Sequence, residues 1–169
     1  FQKDHETLVR AFALARKTNI ARLLILGEGE RRPSLERLVD DLGLASDIDI
    51  AGYVGNPFSY LSRASMFAMT PRYEGLPNAV IEAVACGLPV VCTDCPSGPR
   101  EILLAGAGGQ LVPVGDVNAT AIAIVRYLNE PSLAEEHIAR GQAELHRFDS
   151  ATVARKYALL FGRWPGYLA

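Results

Sequence analysis

Apolar runs of strand length recur along this chain, and each gives way to a helix-period stripe before the next begins. Ala21 to Leu26, Ile48 to Ala51, Ser65 to Thr70, Leu88 to Thr93 and Gly109 to Val112 read as strands. Behind Asp4, a helix start, the residues Leu8, Ala11, Phe12 and Ala15 fall on one face. Leu35, Leu38, Val39 and Leu42 make a second stripe stopped by Gly43, and Asn78 to Cys86 a third helix ended by Gly87. Short helical stretches near Phe58 to Arg63 and Pro99 to Leu104, and helices near Val117 to Asn129, Ser132 to Arg147 and Ser150 to Phe161, complete the pattern. Strands that carry so few polar residues, separated by helices, indicate a parallel sheet covered on both faces. The expectation is a doubly wound α/β domain.

A length of 169 residues suits one such domain with one core. The net charge of −2 gives no general argument for nucleic acid or anionic lipid as a partner. No apolar run approaches the ~20 residues of a membrane span. The sequence starts at Phe1 without Met or a leader, which reads as a piece of a longer protein. Cys92-Thr-Asp-Cys95 has the spacing of a redox pair or half a zinc site. The histidines His5, His137 and His146 do not complete a zinc set, and Cys92 ends an apolar run. These and Cys86 are read as reduced thiols of a cytosolic protein.

The helix from Asn78 to Cys86 poses the functional question. Ala79, Val80, Ile81, Ala83, Val84, Ala85 and Cys86 leave Glu82 almost no polar face to sit on. A helix apolar all round is buried, and an unpaired buried carboxylate costs several kcal/mol or neutralises. Glu82 is therefore expected at a water-filled cleft or a ligand. Glu74 lies in the strand-to-helix loop before it, at the carboxyl end of a strand, where doubly wound sheets bind ligands. The free N–H groups after Asn78 favour an anion. An anion site flanked by two acceptor-only carboxylates suits a diphosphate with hydroxyls on either side, as in a nucleotide-sugar.

Glu74-Gly-Leu-Pro-Asn-Ala-Val-Ile-Glu82 resembles the E-x7-E motif of the retaining glycosyltransferases of family 4. Gln2-Lys3-Asp4-His5-Glu6-Thr7-Leu8, Gly27-Glu28-Gly29, Gly52-Tyr53-Val54, Gly87-Leu88-Pro89-Val90-Val91 and Gly109-Gln110-Leu111-Val112-Pro113 resemble further landmarks of that family, in order. Pro96-Ser-Gly-Pro-Arg-Glu-Ile102 is similar to a form found in many bacterial surface-polysaccharide enzymes. The resemblance implies a GT-B fold, of which residues 1–169 would be the C-terminal, Rossmann-like, donor-binding half.

It also implies roles. Glu74 would accept hydrogen bonds from the donor sugar and Glu82 from the ribose diol. Lys3 would neutralise the diphosphate and stabilise the leaving group. The backbone of Gly75, Leu76, Pro77, Asn78 and Ala79 would lie along sugar and diphosphate, with Pro77 lacking an N–H. Gly27, Gly52, Tyr53 and Val54 would border the nucleobase. No cofactor is implied and no metal is required: Asp40-Asp41 falls on a helix and Asp47-Ile48-Asp49 at a strand start. Arg100 and Glu101 could edge the cleft but are read instead as a surface ion pair, and Gly55-Asn-Pro57 is read as a turn.

The same resemblance implies that an arginine, the first strand and the N-terminal acceptor domain precede Phe1. The isolated chain is then expected to bind nucleotide weakly and transfer sugar poorly. The missing strand would run between Ala21–Leu26 and Ser65–Thr70. Its loss is expected to lead to direct closure of the gap, local disorder, or pairing with another chain through the exposed edge. Val153, Tyr157 and Leu160, with Trp164, either pack on this domain or mark a surface for the missing one. Partners would be a nucleotide-sugar and a polysaccharide or lipid-linked acceptor, in the cytoplasm or at the inner membrane face. Two alternatives stay open: a nucleotide-sugar epimerase on the same fold, and a non-catalytic nucleotide-binding module.

Overall fold

The computed structural model describes residues 2–162. Helix α1 (His5–Ala15) leads into β1 (Leu23–Leu26), α2 (Arg32–Asp41), β2 (Ile48–Gly52), α3 (Phe58–Leu61) and β3 (Phe67–Met69). Then come α4 (Asn78–Ala85), β4 (Val90–Thr93), the single turn α5 (Pro99–Ile102) and β5 (Gln110–Val112). Helices α6 (Val117–Asn129), α7 (Pro131–Ala143) and α8 (Ser150–Gly162) close the chain. All strand pairs are parallel, and the α/β architecture is the one expected. Every residue of β4 is buried, which its unbroken apolar run requires of a central strand.

The strands form two sheets. One pairs β1 with β2 in the register Leu23↔Ile48 and Ile25↔Ile50; the other has the order β3-β4-β5, with Met69 opposite Cys92 and Cys92 opposite Leu111. The edges of β1 and β3 do not pair with each other. A cleft of about 1630 Å³ lies between them, lined by residues 23–26 and 65–69 and by Leu8 and Phe12 of α1. Of the three outcomes expected for the gap, direct closure is therefore not the one the chain adopts.

Helix α1 supplies the physical reason. Its Leu8, Ala11 and Ala15 pack with Val91, Val112 and α6 below one sheet. Its Val9 and Phe12 pack with Ile25, Val39 and Ile48 below the other. One helix thus holds both sheets, and drawing β1 onto β3 would tear one of these two cores. Leu24, on the open edge, stays 40% exposed in what the sequence suggested was a covered strand.

The reading of α4 as buried all round also needs correction. Val80, Ala83 and Val84 are buried, but Ala79, Ile81 and Glu82 are half-buried and Ala85 is exposed. The core takes one face and the cleft another. On α8, Val153 is half-buried while Tyr157, Leu159, Leu160 and Phe161 are exposed, so the last two turns do not pack on their own sheet. Trp164 lies outside the described residues.

Candidate active site

The site is assembled where the chain's first residues cross the loop after β3. Arg72 N–H donates to Gln2 O at 2.8 Å, Gln2 Nε2 donates to Tyr73 O at 3.2 Å, and Thr70 Oγ1 donates to Asp4 O at 2.9 Å. Arg72 pairs with Asp4 at 2.9 Å. Asp4 takes a left-handed backbone conformation, φ 45°, that turns the chain into α1. It stands at the helix start as expected, yet its carboxylate caps no backbone N–H; it accepts from Thr7 Oγ1 at 3.0 Å instead.

This strip delivers Lys3 to Glu74. The Nζ–Oε1 distance is 2.5 Å, with the lysine side chain 49% exposed and the glutamate 9%. A lysine this near a chain end is ordinarily a solvated charge, but here backbone pairing on both sides fixes it. Beneath the loop, the buried Thr93 donates from Oγ1 to Pro71 O at 2.5 Å, tying the end of β4 to the end of β3.

Gly75 and Leu76 run exposed to the start of α4, and Pro77 is buried as its N-terminal boundary residue. Val80 N–H returns to Pro77 O at 3.0 Å, so the N–H groups of Asn78 and Ala79 remain without a helical acceptor. One turn further, Glu82 lines the large cleft beside Ala79. The Glu82 carboxylate makes no hydrogen bond or ion pair among the described residues.

The cleft's far wall is the end of the other sheet. Gly27 N–H donates to Gly52 O at 2.7 Å, joining the loops after β1 and β2. Arg32 reinforces the junction, reaching Ile50 O at 2.9 Å, Glu28 at 2.5 Å and Glu36 at 2.8 Å. Lys3, Gly27, Ala79 and Glu82 all line the cleft. Tyr53 is 82% exposed, with Val54 half-buried beside it; neither is among the lining residues, and nor are Gly52, Glu74, Gly75, Leu76, Pro77 and Asn78.

Several residues that shape this site carry no local sequence signal. Gln2, Thr70, Arg72 and Thr93 act through contacts between distant segments. Arg100 does form an ion pair at the surface, with Asp94 rather than Glu101 as its partner. The C-x-x-C cysteines lie below the site: Cys92 is fully buried and its thiol is pushed up to about 12, mainly by burial and then by Cys95 and Glu74. Burial likewise raises Cys95. Thiols so held are poor nucleophiles and poor metal ligands. Among the described residues no group of three His, Cys, Asp or Glu side chains gathers to hold a metal. No helix there is long and apolar enough to cross a membrane.

Residues 1–130 match the family model for the group 1 glycosyltransferases. A relative from Campylobacter jejuni, N-acetylgalactosamine-N,N'-diacetylbacillosaminyl-diphospho-undecaprenol 4-alpha-N-acetylgalactosaminyltransferase, is 34% identical over 160 residues, which are 93% of this chain and 43% of the relative. The fold matches S. aureus TarM, solved as a point mutant with fondaparinux, alpha-GlcNAc-glycerol and UDP (TM-score 0.88, 24% identity, 95% of this chain and 33% of that one). It also matches Anabaena HepE in complex with UDP (TM-score 0.87, 20% identity, 96% and 46%). The chain thus spans less than half the length of each of these proteins. Its fold is that of the GT-B enzymes, and the chain belongs to the group 1 glycosyltransferases.

Proposed function

We propose that residues 1–169 are the donor-binding domain of a retaining glycosyltransferase. The full-length enzyme would move a sugar from a nucleoside-diphosphate carrier to a polysaccharide or lipid-linked acceptor. The observation that carries this reading is the Lys3–Glu74 pair beside the free N–H groups at the start of α4, with Lys3, Ala79 and Glu82 lining one cleft and Glu82 unpaired among the described residues. A cation, an anion-binding helix end and two carboxylates match a diphosphate with a sugar on one side and a ribose on the other.

In this reading Glu74 accepts from the sugar hydroxyls and Glu82 from the ribose diol. The N–H groups of Gly75, Leu76, Asn78 and Ala79 border the sugar and diphosphate. The base rests against Gly27 and the turn Gly52 to Val54. During transfer the bond from sugar C1 to the diphosphate oxygen breaks, the acceptor oxygen bonds to C1 on the same face, and the acceptor's proton leaves with the diphosphate. Lys3 and the helix end stabilise the charge that grows on the leaving group. That electrostatic work needs no metal. An N-terminal domain supplies the acceptor site and the cleft's other wall. The full-length enzyme works in the cytoplasm or at the inner membrane face, and the open edges of β1 and β3 offer a further surface for pairing.

The test is the thermal shift of this chain against UDP, GDP and ADP and their sugar conjugates, with Glu82→Ala in parallel. Ligand at ~100 times its dissociation constant stabilises the fold by ~2.7 kcal/mol. A shift with one nucleotide that the variant lacks is the expected result. No shift with any of them, in this chain and in the full-length protein alike, would remove the reading.

A further inference from the structure

Among the described residues the Glu74 carboxylate hydrogen-bonds to the half-exposed Lys3 alone. Such a contact cannot by itself fix where the carboxylate points, so its aim is set by the backbone of residues 74–77. That backbone rests on the loop after β4. Gly98 is buried with φ 74° and ψ −74°, and a Cβ there would overlap the Gly75 carbonyl oxygen and come within 2.6 Å of Pro77 Cδ. The two main chains touch where a side chain would stand. Ser97, just before, also has a positive φ of 65°. A non-glycine residue held there is strained, and such strain persists only when the surroundings over-determine it.

The supporting loop is held at both ends. Asp94 N–H donates to Val112 O at 2.7 Å, and Ile102 N–H donates to Gly98 O at 2.9 Å. Across its mouth Arg100 grips Asp94 with both arms, Nε to Oδ1 at 3.0 Å and the terminal nitrogen to Oδ2. The Glu74 loop is thereby pressed between residues 2–4 on one side and residues 95–98 on the other.

We propose that Gly98, with the Asp94–Arg100 clasp that holds its loop, is a positioning element for Glu74 and so sets how the sugar of the donor is held. The proposal rests on the reading of Glu74 as a donor contact. It concerns the sugar half of the site alone.

Calorimetry on the full-length protein separates the two halves, using UDP, GDP and ADP alone and as their glucose conjugates, with donor hydrolysis as the rate. The variants are Gly98→Ala, Arg100→Ala, the exchanged pair Asp94→Arg with Arg100→Asp, and Glu74→Gln as reference. A displacement near 1 Å at a positioned group costs on the order of 10²-fold in rate. Gly98→Ala is expected to lose donor hydrolysis on that scale and the sugar's contribution to affinity. Its affinity for the bare nucleotide should stay within about threefold. Arg100→Ala, whose side chain is exposed, gives the same split more weakly and stands in should Gly98→Ala not fold. The exchanged pair restores it, which a direct contact of Arg100 with donor would not allow.

Equal losses for bare nucleotide and conjugate, or no loss in either variant while Glu74→Gln loses the sugar contribution, would overturn the positioning role. If Glu74→Gln itself leaves the sugar contribution intact, the donor-contact reading fails first and the proposal falls with it.

Discussion

Neutralising Glu74 should strengthen the binding of a bare nucleoside diphosphate, although Glu74 is proposed for the same site. Lys3 is held by the carboxylate at 2.5 Å. To meet a diphosphate it must weaken that bond, and the carboxylate repels the incoming anion. Both effects vanish in Glu74→Gln and both have the same sign. Two unit charges at 4 Å attract by about 1 kcal/mol in bulk water and about 4 kcal/mol at the effective dielectric of a protein surface. Lys3 is half exposed, so solvent screening brings the net value towards that of exposed pairs, about 1 kcal/mol at the upper end.

A gain of about 1 kcal/mol is about fivefold in the dissociation constant. Isothermal calorimetry of wild type and Glu74→Gln with UDP, GDP and ADP measures it directly. The gain should shrink in high salt, where the exposed partner is screened. For the sugar conjugate the sign reverses, because each charge-assisted hydrogen bond lost to a hydroxyl is worth about 1.5–3 kcal/mol. Weaker binding of the bare nucleotide by Glu74→Gln would refute the reasoning, since it would mean that Glu74 orients Lys3 for the diphosphate rather than competing for it.

Burial lowers His137, which lies 2.7 Å from Tyr127 Oη, and His5, where Lys3 adds to the effect. Groups lowered in the fold leave stability intact above the unfolded value near 6.5 and remove it as pH falls through the lowered values. Denaturant midpoints between pH 7.5 and 5 should therefore decline, and His137→Gln, which keeps an acceptor for Tyr127, should flatten the decline; an unchanged slope would exclude His137 as a source. Iodoacetamide at pH 8 should modify the half-buried Cys86 first and spare the buried Cys92 and Cys95 until the chain is unfolded. Mass spectrometry showing early labelling of Cys92 would contradict the burial that holds its thiol up.

Much of the fold is legible because short-range pattern and long-range burial agree there. The stripe Leu8, Ala11, Phe12, Ala15 is buried throughout, and the unbroken run in β4 is the most buried strand. The divided sheet is not legible in the same way, since a strand's sequence records that it is apolar but not whether both edges are paired. Leu24 shows the difference: its side chain is that of a covered strand, while its edge faces the open cleft.

The site divides along the same line. Glu82 could be singled out because a charge on an apolar helix is a local anomaly, and Glu74 because a loop at a strand's carboxyl end is where ligands gather. What is proposed to aim Glu74 is not local at all. Gln2 and Lys3 meet residues 71 positions away, and Gly98 meets Gly75 from a separate crossover. Glycine at 98 carries no hydrophobic period and no charge, and the family resemblance of residues 96–102 marks the segment without saying what this glycine does. Its requirement becomes visible only when two main chains are seen in contact at a positive φ. The residues proposed to contact a ligand are thus readable from their own chemistry, whereas those proposed to hold them are readable only from the backbone they support.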